Sequence, residues 1–423
     1  MKTALHRVKQ HLFDILGLDR MGKAYHMLVA SYVFMMFYFT FESVFINTLL
    51  YRVNEDGMRA VIIYRAISYL ATGLFMQLAA YISQKASPIF IVKLGAMLYF
   101  LVFIIMSFGI NHIGTLQYFI AAISGTGAAF YWMGHMVLVT KYTTKSNRDS
   151  GMSILGVVQG VMTLTVPILS GFLISFMPEI SGYRVMFVAA MAAVCMHLYF
   201  IRKFHPVEQT QHKSELRLAI KLISRKKTFK FMIIYEFFRG VRDGTFSFFL
   251  NMLLFRIITN ESIIGINTFL TGILAITGSW VYGKLVRQNS RVRYGVISTT
   301  MVMVACVLLF FNMSIPTVMF FTIVNAFMQL FFQYAFNNTT FDAIAETKVS
   351  RKCTAEIVGM RELTIMFGRL AGLAGTLLVP QNQGGYVFVL LLLTFTQYIG
   401  MAFVGLTLKL LERKKTQARI EPA

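Results

Sequence analysis

The chain is short of acid. It carries 40 Lys and Arg against 18 Asp and Glu, and charged residues of both signs make up only 14% of it, well under the usual quarter of a soluble domain. Cysteine is scarce as well. Cys195, Cys306 and Cys353 are an odd set with no pairing pattern, which argues against disulfides or a metal site, and no cofactor is expected. No Walker-type phosphate loop occurs, no His-Glu-x-x-His and no Gly-x-Ser-x-Gly, so the sequence points neither to ATP-driven work nor to an intramembrane enzyme.

What the chain has in abundance is apolar sequence: 57% hydrophobic residues over 423 positions, with a mean hydropathy of +0.64. The apolar residues gather into twelve long stretches, at 24–50, 58–84, 88–110, 114–140, 151–177, 182–202, 229–256, 262–284, 294–312, 315–340, 356–379 and 384–408. About twenty apolar residues in a helix span the hydrocarbon core of a bilayer. The fold class expected is therefore an all-α integral membrane protein with 12 transmembrane helices. Residues 1–23 precede a first stretch too long for a signal core and show no small-residue cleavage site, so no cleaved signal peptide is expected.

A surplus of 22 positive charges in a soluble protein would suggest nucleic acid; here its placement says otherwise. Arg52, Arg59, Arg184 and Arg256 belong to the odd-numbered gaps, Arg65, Arg239, Arg242, Arg361 and Arg369 fall inside stretches, and the other basic residues crowd the N-terminal arm, the even-numbered gaps and the tail. By the positive-inside rule both termini are cytoplasmic. Anionic lipid headgroups are then the partner of the basic loops, and no nucleic acid is expected. The organisation expected is a basic arm at 1–23, a bundle at 24–204, a basic linker at 205–228, a second bundle at 229–408 and a basic tail at 409–423. In the arm, Leu5, Val8, Leu12 and Leu16 recur at helical spacing, and in the linker Leu216, Ile220 and Ile223 do the same, as in segments that lie on a membrane surface.

Ionisable residues inside the stretches cost at least about 2.5–3.5 kcal/mol at the bilayer centre, so each is a functional candidate. The seventh stretch holds Glu236-Phe-Phe-Arg239-Gly-Val-Arg242-Asp243, with 236, 239 and 243 on one helical face. Glu42 and Arg65 sit at similar depth in the first two stretches and are expected to pair. Arg369 lies near the middle of the eleventh stretch, with Arg361 and Glu362 nearer its cytoplasmic end. Asn325, Gln329, Gln333 and Asn337 form a stripe at spacings of four in the tenth, offering donors and acceptors to a polar solute. Tyr131, Trp132 and His135 cluster in the fourth, and Pro167 with Gly156, Gly160 and Gly171 suits a moving interface in the fifth.

The halves repeat. Gln84 and Arg287, Arg148 and Lys352, and Gly171 and Gly375 correspond at an offset of roughly 203 to 204 residues. Two sets of six, both ends inside and a basic central loop resemble the major facilitator superfamily along the whole chain. Ser124-Gly-Thr-Gly-Ala-Ala129, Pro167 and Gly171 are similar to motifs of its drug–proton antiporters. The departures are clear too: Ala121 stands near the antiporter arginine, and Ala80, Gln84 and Lys85 stand where the family's loop after helix two carries Gly and Asp-Arg.

The resemblance implies two pseudo-symmetric six-helix bundles whose helices one, four, seven and ten surround a central cavity. The function expected is secondary active transport of a small organic solute across the cytoplasmic membrane by alternating access, in a monomer. The favoured form is proton-coupled export of an amphipathic or anionic compound or lipid. Proton-coupled uptake of a small anionic nutrient and a transport-inactive sensor or scaffold remain as alternatives. Arg239, Arg242, Arg369, Asn325, Gln329, Gln333, Tyr131 and Trp132 are the candidate substrate-binding residues, and Glu42, Glu236 and Asp243 the candidate proton carriers. Arg65, Arg361, Glu362 and Pro167 are the candidate ion-pair or gate residues.

Overall fold

A computed structural model of the protein describes residues 21–47, 49–50, 54, 57–144, 147–177, 179–204, 215–246, 250, 257, 261–379 and 383–420. The N-terminal arm with its apolar face, Arg52, Arg256 and the first part of the linker lie outside the described residues. Among the described residues twelve long helices follow in order: α1 (Lys23–Phe41), α2 (Gly57–Lys85), α3 (Pro88–Gly109), α4 (Ile113–Tyr142), α5 (Arg148–Ser175), α6 (Glu179–Arg202), α7 (Lys227–Asp243), α8 (Glu261–Leu285), α9 (Arg291–Phe311), α10 (Ile315–Ile344), α11 (Thr354–Leu377) and α12 (Gln383–Ile420). No strand occurs among the described residues.

Nine helices among the described residues are long and apolar enough to cross a bilayer. Two of the remaining long helices, α7 and α11, are the ones that carry the intramembrane charges at Glu236, Arg239, Arg242, Asp243, Arg361, Glu362 and Arg369. The fold is all-α and integral to a membrane. Its exposed apolar residues agree, with Phe108, Phe311 and Leu378 each at least four-fifths uncovered, a surface that only lipid satisfies.

The helix ends are set by local chemistry. Ser87 caps α3, accepting the Phe90 amide at 3.1 Å with Pro88 in the first turn, where its missing N–H costs nothing. Ser314 and Thr317 form a reciprocal capping pair at the start of α10. α1 widens into a π-helical turn over Glu42–Ile46, a distortion that re-aims the side chains it carries.

The chain forms two compact units. One comprises residues 1–71, 86–209 and 279–285; the other comprises 72–85, 210–278 and 286–423. In the first, α3 packs on α4 and α6, and α1 on α5 and α6, around a core of Tyr38, Phe41, Tyr99, Phe103 and Phe187. In the second, α7 packs on α11 and α12, and α9 on α10 and α12, around Phe246, Val302, Cys306, Leu309, Phe321 and Leu390.

A short helix at Leu216–Arg225 leads into α7. It buries Ala219 and Leu222 and leaves Leu216 and Ile220 exposed. Its apolar face is thus divided between the protein and the surface.

Candidate functional site in the α7, α10 and α11 helices

Helical spacing brings three ionisable groups of α7 together. Arg239 Nε lies 3.1 Å from Asp243 Oδ2 and Arg239 Nη1 lies 3.4 Å from Glu236 Oε2. Glu236 is fully buried, and its Oε1 accepts from Arg361 Nε of α11 at 2.6 Å and from the Thr340 hydroxyl of α10 at 2.6 Å. Because that hydroxyl hydrogen is committed to Glu236, the Tyr235 hydroxyl donates to Thr340 Oγ1 across their 2.7 Å contact. Asn337 Oδ1 closes the group, accepting from Arg239 Nη1 at 2.6 Å and from Arg361 Nη2 at 2.7 Å. Arg361 Nη1 adds Glu362 Oε1 at 3.2 Å.

Two guanidinium groups thus serve three carboxylates through charge-assisted bonds, the arrangement that makes buried ions tolerable. Glu236 has no exposure, whereas Arg239 and Asp243 keep 15% and 16%. The network is therefore sealed at one end and reachable at the other.

α7 and α11 approach closely because glycine lines both. A Cβ on Gly240 would meet the Ile365 carbonyl oxygen of α11, and one on Gly368 would meet the Phe237 carbonyl oxygen of α7. This proximity is what allows Arg361 to reach Glu236.

Arg242 differs from its neighbours. It is 2% exposed, and its Nη2 donates to Asn325 Oδ1 at 2.8 Å. Its guanidinium carbon lies 3.8 Å from the ring centre of Phe246 and 4.5 Å from that of Phe332. Its Nε has no hydrogen-bond partner. Among the described residues no carboxylate comes within ion-pair distance of it, so its direct contacts are ring faces and one amide oxygen, with the Asp243 carboxylate acting from farther off. Arg369 of α11 runs its side chain past Gly244, at the end of α7.

The amide stripe of α10 is used unevenly. Asn325 and Asn337 are committed to arginines, while Gln329 and Gln333 between them are half-buried and make no hydrogen bond to a described residue.

In the first unit, Glu42 is buried within the π turn and its Oε1 accepts from the Tyr64 hydroxyl at 2.9 Å and the Ser124 hydroxyl at 3.1 Å. The expected pair with Arg65 is not made: Arg65 binds Asn47 Oδ1 at 3.2 Å and the Ser43 carbonyl at 2.9 Å. Each group is instead satisfied by neutral partners, the carboxylate by hydroxyls of α2 and α4 and the guanidinium by an amide and a carbonyl oxygen of the α1 end. Tyr131 is buried with its hydroxyl 3.2 Å from His135 Nδ1, and Trp132 stands edge-on to Phe39 at 5.9 Å. Pro167 is accommodated inside α5, where Gly171 has open space around it.

Sequence reasoning passed over Thr340, Tyr64 and His197, all of them polar contributors, and met Ser124 only as the first residue of a glycine motif. His197 alone carried a usable signal, as a lone histidine inside an apolar stretch.

A membrane-embedded, all-α chain with buried ion-pair networks in its helices has the build of a solute carrier. The Major Facilitator Superfamily model matches residues 27–373, and the chain belongs to that superfamily, a family of transporters and not of enzymes. An uncharacterized protein of Bacillus subtilis (strain 168), YqgE, is 22% identical over 344 residues, covering 80% of this chain and 78% of its own.

Solved structures share the fold at low identity. The human organic anion transporter MFSD10 (TETRAN) matches with a TM-score of 0.67 and 13% identity, over 92% of this chain and 98% of its own. The E. coli fucose:proton symporter FucP gives 0.69 and 12%, over 90% and 98%. A bacterial homologue of the iron transporter ferroportin, in its outward-facing state, gives 0.64 and 15%, over 93% and 100%.

Proposed function

We propose that the protein is a proton-coupled secondary transporter that exports an amphipathic organic anion across the cytoplasmic membrane by alternating access. Arg242 carries this reading. It is a buried cation with an unpartnered Nε–H and no carboxylate at ion-pair distance among the described residues, and an anionic group would supply the missing charge. Phe246 and Phe332 against its guanidinium provide apolar surface for the rest of an amphipathic molecule. Gln329 and Gln333 offer hydrogen bonds nearby on the chain. That MFSD10 is an organic anion transporter accords with this choice.

The proton carriers in this reading are Glu236, Asp243 and Glu42. FucP, by its name, couples fucose to protons. In the present chain, a proton on Asp243 would release Arg239, the more exposed guanidinium, to meet the substrate, and a proton on Glu236 would release Arg361. Arg369 in the second unit is a further substrate-contacting residue in this reading, Tyr131 and Trp132 are candidates within the first unit, and Arg361, Glu362, Arg65 and Pro167 belong to the moving parts. Both termini are cytoplasmic, from the basic even-numbered loops, and the carrier works as a monomer.

Proteoliposomes with an imposed pH gradient test the direction. Accumulation of an amphipathic anion against protons leaving the lumen supports export by antiport; accumulation driven by protons moving the same way makes the protein an uptake symporter. Absence of any flux from folded protein supports a sensor or scaffold.

A further inference from the structure

His197 of α6 is fully buried and belongs to none of the groups used above. Its Nδ1 lies 2.8 Å from the Ser31 carbonyl oxygen of α1. Only an N–H makes that contact favourable, so Nδ1 carries the proton and Nε2 presents a lone pair. Nε2 has no hydrogen-bond partner among the described residues, and neither has the buried hydroxyl of Tyr38. The two rings stand edge to face, with centres 5.9 Å apart. A base and a hydroxyl, each without a partner, therefore share one buried corner, where an unmade hydrogen bond is costly.

The surroundings of this corner are polar in an ordered way. From α4, Tyr131 lies 5.6 Å from the His197 ring and stacks on His135 at 5.4 Å. From α1 and α3, Tyr38 contacts Tyr99 at 5.3 Å. The Tyr99 hydroxyl is within electrostatic reach of Glu42 and of Ser124, and Ser124 donates to Glu42. α5, which also packs on α6, has no ionisable residue between 150 and 175. Glu42, four residues beyond Tyr38 on α1, is the carboxylate among these groups; the packed elements also carry Lys93 on α3 and the exposed Arg202 at the end of α6.

We propose that His197 is a further proton-binding residue of this transporter, distinct from the three carboxylates, and that its occupancy is linked to the charge on Glu42. A hydronium ion gives its proton to Nε2: one O–H bond breaks, one N–H bond forms, and the products are water and an imidazolium. The Nδ1–H bond to Ser31 persists, and the Tyr38 hydroxyl oxygen accepts the new N–H. Burial opposes the charge, and the Glu42 carboxylate offsets that opposition through the Tyr38–Tyr99 contact. Neutralising Glu42 therefore weakens proton binding at His197.

Histidine-labelled protein in lipid nanodiscs, followed by NMR across pH, tests this without any transport assay, so it stands or falls separately from the export reading. The resonance lost in His197→Gln is assigned to His197. If that variant does not fold, replacing the other histidines isolates the same signal. The expected result is a titrating His197 whose midpoint falls by at least about 0.5 pH unit in Glu42→Gln and also falls in Tyr38→Phe. A resonance that stays in the neutral Nδ1–H form down to acid unfolding, or a midpoint unmoved in both variants, overturns the proposal.

Discussion

Arg361 of α11 places its Nε 2.6 Å from Glu236 Oε1 of α7, and neither side chain is measurably exposed beyond 1%. Removing one member of such a pair leaves an uncompensated buried charge, at a cost of about 3–5 kcal/mol. Arg361→Met should therefore lower the unfolding temperature in detergent substantially. The double variant Arg361→Met, Glu236→Gln should lose much less than the sum of the single changes. Additive losses would mean that the two groups do not act as a pair.

The glycines between α7 and α11 make a second prediction. Gly240→Ala or Gly368→Ala places a methyl against a backbone carbonyl of the opposite helix, an overpacking that costs about 1–3 kcal/mol. Thermal unfolding should show the loss, and Gly171→Ala, with open space around it, should show little.

How much of this was legible in the sequence depends on range. Arg239 beside Asp243 follows from a spacing of four on one helix. The contribution of Arg361 does not, because its reach to Glu236 depends on two glycines on different helices; from position alone it read as a residue near a membrane face. Glu42 and Arg65 had matching depth, and they do lie at one level, Glu42 on the Tyr64 hydroxyl and Arg65 on the Ser43 carbonyl; what depth did not show is that the carboxylate takes hydroxyl partners, Tyr64 and Ser124. The twelve apolar stretches, by contrast, were plain, since bilayer thickness fixes their length.

Arg242 and the amides of α10 predict a division of roles. In a transport assay with an amphipathic anion, Arg242→Gln should raise KM about tenfold or more, since one charge-assisted contact contributes at least about 1.4 kcal/mol. Gln333→Ala and Gln329→Ala should raise KM by a smaller factor with unchanged unfolding temperature, because neither amide holds the fold together. Unchanged KM in all three would remove them from the substrate site.

Cys353, at the start of α11, gives a prediction in pH. Burial pushes its thiol up to about 11, with the carboxylates of Glu356 and Glu215 adding to the effect. The reactive species is the thiolate. In a variant lacking Cys195 and Cys306, maleimide labelling of Cys353 should keep rising about tenfold per pH unit through pH 9, whereas an ordinary thiol of about 8.5 levels off. Glu356→Gln should speed the reaction at fixed pH. A plateau near pH 9 would contradict this picture of the helix start.

Proton movement through the charged network of α7 is the centre of the account, and one measurement addresses it most directly. Proteoliposomes holding a pH-sensitive dye, with the membrane potential clamped, are given a membrane-impermeant amphipathic sulfonate outside. For the wild type, sulfonate entry should drive protons out and make the lumen alkaline, and Glu236→Gln and Asp243→Asn, each still folded, should abolish that signal. Sulfonate-driven proton movement that is undiminished in both variants would contradict the account.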